Sequence, residues 1–78
     1  MNLKTEAVCK VTFLDGGHKW YRISKDRNLN HLAHSFMKIR SFRYAKVYAY
    51  NRKTKVTGEQ IAYFGINTKT GEVYLKLS

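Results

Sequence analysis

Residues 42–51 read FRYAKVYAYN, and their two-residue alternation decides the architecture. A strand sends successive side chains to opposite faces, so Tyr44, Lys46, Tyr48 and Tyr50 share one side while Ala45, Val47 and Ala49 share the other. The Ala/Val side is small and apolar, suited to close approach by a packing layer. The Tyr/Lys side interleaves rings with positive charge, the chemistry that stacks bases and neutralises phosphates.

Upstream of this strand the period changes. Leu29, Leu32, Ala33, Phe36, Met37 and Arg40 recur at helical spacing, which predicts a helix from about Asn28 to Arg40, capped by Asp26 or Asn28. Asn30, His31, His34, Ser35 and Lys38 make its solvated side, and Ser41–Arg43 leads into the strand. Further upstream, Glu6–Leu14 and His18–Ser24 alternate as strands around Asp15-Gly16-Gly17, a hairpin signal because glycine supplies positive φ at no steric cost.

Downstream, a basic loop over Arg52–Gly58 is expected, then a strand near Glu59–Asn67 in which Ala62, Phe64 and Ile66 alternate with Ile61, Tyr63 and Gly65. Asn67-Thr68-Lys69-Thr70-Gly71 reads as a type I turn closed by a left-handed glycine, joining a last strand, Glu72–Leu77. The element order is ββαβββ, with no linker, proline or repeat to divide it.

The expectation is an α+β fold: a single two-layer domain over residues 1–78, one helix packed on one face of an antiparallel sheet. The core face would carry Ala7, Cys9, Val11 and Phe13; Tyr21 and Ile23; Ala45, Val47 and Ala49; Ala62, Phe64 and Ile66; Val73, Leu75 and Leu77. The opposite face would then hold Trp20, Arg22, Tyr44, Lys46, Tyr48, Tyr50, Tyr63, Tyr74 and Lys76. That set contains five of the six tyrosines and the one tryptophan.

Charge points the same way. Fifteen Lys and Arg against five Asp and Glu leave a net charge of +10, an excess that implies an anionic partner. No acid lies between Asp26 and Glu59, an interval that holds Arg27, Lys38, Arg40, Arg43, Lys46, Arg52, Lys53 and Lys55.

The expected function is therefore binding of nucleic acid, single-stranded or irregular, RNA or DNA. Trp20, Tyr44, Tyr48, Tyr50, Tyr63 and Tyr74 would stack bases, and Arg22, Arg40, Arg43, Lys46, Arg52, Lys53 and Lys76 would contact phosphates. Aromatic residues also favour strands for packing reasons alone. Two other classes share the same face: a small inhibitor or adaptor of the phage or mobile-element type, gripping an acidic protein or a ribonucleoprotein, and a structural homodimer that buries the rings.

Catalysis finds little support in these residues. The five acids fall mostly at turns and strand ends, and no carboxylate pair or phosphate-cradling glycine loop occurs. His31 and His34 share a helix face at i, i+3 spacing, but Cys9 belongs to the core, so neither a metal site nor a cofactor is expected. Cys9 is the lone cysteine, the stretch Met1–Thr5 lacks a hydrophobic leader core, and no segment reaches membrane-span length. These features suit a soluble protein of the reducing cytoplasm.

Overall fold

A computed structural model of the chain describes residues 2–78. Its elements are β1 (Ala7–Phe13), β2 (His18–Ile23), α1 (Leu29–Met37), β3 (Phe42–Asn51), β4 (Val56–Ile66) and β5 (Val73–Leu77), in the expected order. The strands form one antiparallel sheet, β2-β1-β3-β4-β5. Because β1 lies between β2 and β3 and opposes both, those two strands run parallel, and α1 is the crossover that joins them.

Local chemistry sets each connection. Gly16 takes φ 90° in the β1–β2 turn, and the Gly17 amide donates to Asp15 Oδ1 at 2.8 Å. Between β4 and β5, Gly71 takes φ 75° and its amide donates to the Asn67 carbonyl at 2.7 Å. The β3–β4 connection corrects the sequence reading. Asn51 Oδ1 accepts from the amides of Lys53 and Thr54 at 3.0 and 3.2 Å, so the chain reverses within Arg52–Lys55. Val56 and Thr57 then already pair with Asn51 and Tyr50, where a longer loop was expected.

Asn28 caps α1: its side chain accepts from the Asn30 amide at 2.9 Å, whereas Asp26 sits in the preceding turn at φ 71°. The helix stops at Met37, short of Arg40. Its last turn tightens as the Ile39 amide donates to the Phe36 carbonyl at 3.0 Å, which brings Ile39 against the core and leaves Met37 exposed.

The helix covers the face built from Ala7, Cys9, Val11, Ala45, Val47, Ala62 and Phe64, all buried. Phe36 is its anchor, stacked on Phe42 (4.9 Å between centroids, 14°) and edge-on to Phe64 (5.1 Å, 79°). Tyr21 and Leu77, assigned to the core from sequence, remain 39% and 49% exposed, because they lie on the two edge strands. Leu3 joins the core instead: its amide donates to the Arg27 carbonyl at 3.0 Å and its carbonyl accepts from the Asp26 amide at 2.9 Å. The shortest principal extent is 19 Å, the thickness of one sheet and one helix, and among the described residues no second layer covers the other sheet face.

Candidate nucleic-acid interface

On the uncovered face, one row of directly opposed side chains crosses all five strands: Trp20, Lys10, Lys46, Tyr63 and Lys76. A neighbouring row runs Arg22, Val8, Tyr48 and Gln60. A third begins His18, Thr12 and Tyr44. Antiparallel pairing keeps side chains on opposed residues on the same side, so rings and cations are interleaved along β3 and across the sheet, with Lys10 and Lys46 adjacent at the centre of the row.

The rings meet in two groups. Tyr44 and Tyr63 stack at 6.0 Å and 19°, and Tyr63 continues to Tyr74 at 6.4 Å and 48°. On the other side of the Lys10/Lys46 pair, Trp20 meets Tyr48 at 6.1 Å and 39°. Tyr50 belongs to this second side, where the Arg22 guanidinium lies 5.4 Å over its ring and donates to its hydroxyl at 3.5 Å. An open hollow of about 330 Å³ is bounded by Val8, Trp20, Tyr21, Arg22, Tyr50 and Thr57.

Gly65 permits the first group. It lies opposite Tyr74, and a Cβ there would stand 2.6 Å from the Tyr74 hydroxyl oxygen and 2.9 Å from Tyr63 Cε1. Without a side chain at 65, Tyr74 folds across the bare backbone toward Tyr63.

Besides a register shift between Tyr48↔Gln60 and Tyr50↔Thr57, two irregularities depart from simple alternation. Thr12 pairs with Tyr44 and Phe13 with Phe42, so Arg43 is an extra, bulged residue. Phe42 is thereby turned into the core against Phe36, and Arg43 emerges to solvent. A second bulge leaves Ile61 unpaired between Val47↔Ala62 and Tyr48↔Gln60. Ile61 packs against the core, although alternation groups it with Tyr63.

The face is electropositive around Tyr44. The Thr12 hydroxyl lowers the Tyr44 pKa most; burial, the next largest effect, opposes it, and the charges of Lys46, Arg43 and Lys10 each lower it further. Burial raises the Tyr63 pKa, with Tyr74 and Tyr44 beside it; Arg43 works the other way. The Arg43 charge thus acts on both rings of the stacked pair. Trp20 and Tyr74 are 49% and 46% exposed, and Tyr44, Tyr48, Tyr50 and Tyr63 are half-buried.

The predicted residues divide accordingly. Trp20, Arg22, Tyr44, Lys46, Tyr48, Tyr50, Tyr63, Tyr74 and Lys76 share the open face, with Arg43 beside it. Arg52 and Lys53 lie in the β3–β4 turn, at the sheet's end, and Arg52 is paired with Glu6 at 3.3 Å. Arg40 lies exposed between α1 and β3, and among the described residues it has no side-chain hydrogen bond or ion pair to the face. Lys10 is the member that the sequence reading left out; its parity with Val8 and Thr12 in β1 was the available signal.

Cys9 is buried, which pushes its thiol pKa up to about 12, and His31 and His34 are exposed on α1. Among the described residues, no group of three or more His, Cys, Asp or Glu side chains could hold a metal ion. No helix among them is long and apolar enough to cross a membrane. Comparison with models of protein families, with curated proteins and with solved structures finds no match.

Proposed function

We propose that the protein binds single-stranded or irregularly paired nucleic acid across the open face of its sheet. The row Trp20–Lys10–Lys46–Tyr63–Lys76 carries this reading: it offers flat rings and cations at strand spacing on a face without a second layer. Base–aromatic stacking is worth about 1–3 kcal/mol per base, so three or four engaged rings support micromolar or tighter binding. Phosphate contacts by Lys10, Lys46, Lys76, Arg22 and Arg43 add attraction that weakens with salt.

The charge on the face argues against its burial by a second copy, since a two-fold contact would bring like-charged rows together. An acidic protein partner would satisfy the same charges and is the competing reading. The discriminating experiment is a mobility-shift assay at low salt with single-stranded and duplex DNA and RNA. Retardation of single strands supports the proposal. No retardation, together with a protein partner captured after nuclease treatment, refutes it.

A further inference from the structure

We propose that Lys10 and Lys46 form a phosphate saddle that holds one backbone phosphate between two stacking platforms, so that the unit recognised is two successive unpaired nucleotides. The inference rests on the nucleic-acid reading above and adds a centre and a ligand unit to it.

Lys10 and Lys46 are directly opposed on β1 and β3, two of the three inner strands of the sheet. Opposed residues of an antiparallel pair lie about 4.5–5.5 Å apart at Cα, and like charges in that position destabilise the pair. Among the described residues, no carboxylate forms an ion pair with either. Their row partners are Trp20 and Tyr63, and the adjoining rows present Val8, Tyr48, Thr12 and Tyr44. The carboxylate at the rim, Glu6, is engaged by Arg52.

Instead the two ammonium groups lean apart onto rings. Lys10 Nζ lies 5.7 Å over Trp20, and Lys46 Nζ lies 5.7 Å over Tyr44. Two cations held side by side, each leaning on the ring group at its own flank, leave a seat between them for one anion. Its chemistry is that of a phosphodiester, because a base attached on either side would meet Trp20/Tyr48 or Tyr44/Tyr63. A duplex keeps its bases stacked inside and cannot present them there, and inorganic phosphate would gain nothing from the rings.

The test compares Lys10→Gln, Lys46→Gln and, as a control with the same charge change, Lys69→Gln in the β4–β5 turn. A short oligodeoxythymidylate is titrated into each at several salt concentrations, with inorganic phosphate as competitor. The saddle predicts that either face variant weakens binding and flattens the log–log salt slope by ~0.7, that Lys10→Arg restores both, and that phosphate at matched ionic strength competes poorly. Thermal melting of the unliganded face variants should be unchanged or raised, since a repulsion is removed. If wild-type protein binds but both face variants behave like Lys69→Gln, the saddle is overturned and the open-face reading stands. Failure of the wild-type protein to bind the oligonucleotide overturns both.

Discussion

Tyr44 on β3 and Tyr63 on β4 lie with ring centroids 6.0 Å apart and planes within 19° of parallel. They are diagonal neighbours, since Tyr63 is opposed by Lys46 and Tyr44 stands two residues along the same strand. Diagonal positions are within reach of large rings. The pair makes a broad flat surface beside a cation, neither closed into a core nor covered by the helix.

Replacing Tyr44 or Tyr63 by Ala should therefore affect ligand more than fold. Each substitution is expected to weaken oligonucleotide binding by about 1–3 kcal/mol, or about 5–150-fold. Unfolding free energy should fall by only about 1 kcal/mol, the scale of a cross-strand aromatic pair. Sedimentation of both variants should match the parent, whereas a dimer built on this face would dissociate more readily. Titration, denaturant melts and sedimentation on the same samples check all three.

Gly65→Ala puts a methyl group 2.6 Å from the Tyr74 hydroxyl oxygen and 2.7 Å from its Cζ. Tyr74 must swing off the sheet. The expected loss is about 1–3 kcal/mol in denaturant unfolding, as for overpacked sites. A Gly65→Ala/Tyr74→Ala double variant should recover part of it, because the obstructing ring is gone; a cycle of the four proteins measures the coupling.

Much of this was legible from period alone. Alternation in β3 and β1 separated core from open face, the 3.6-residue stripe located α1, and Asp15-Gly16-Gly17 marked its hairpin. What escaped were features that period does not encode. The Arg43 bulge exchanged the faces of Phe42 and Arg43, and the Ile61 bulge did the same within β4. Leu3 stands alone in a polar stretch, and its burial depends on backbone pairing with the segment before α1. Within the site, the opposition of Lys10 to Lys46 required the strand order, which hydrophobic pattern leaves open.

The helix should prove sensitive at one position and tolerant at the next. Phe36→Ala removes a ring packed on both Phe42 and Phe64 and is expected to lower stability by about 3–5 kcal/mol. Met37→Ala, at an exposed site, should lie within about 0.5 kcal/mol of the parent. Chemical denaturation of the two variants makes the comparison. Equal losses would mean that the helix does not pack as described.

Cys9 sets an alkaline limit. Its folded pKa of about 12 lies above the unfolded value of 9.0, so the native state holds the thiol proton that the unfolded chain releases. Its contribution is complete below pH 9 and is lost as pH rises through about 12. The slope in that window is about 1.4 kcal/mol per pH unit. Cys9→Ala should remove it, leaving a shallower decline when unfolding is measured across the window. A thiol reagent should meanwhile react with the parent only as fast as it opens.

The most direct measurement is the emission of Trp20, the single tryptophan, during titration with a short single-stranded oligonucleotide at low salt. With Trp20 as part of the binding face, the signal should be quenched to saturation. The apparent affinity should then fall linearly with salt on logarithmic axes, with a slope set by several neutralised phosphates. Emission that stays constant while the oligonucleotide migrates unshifted would contradict the assignment of this face to nucleic acid.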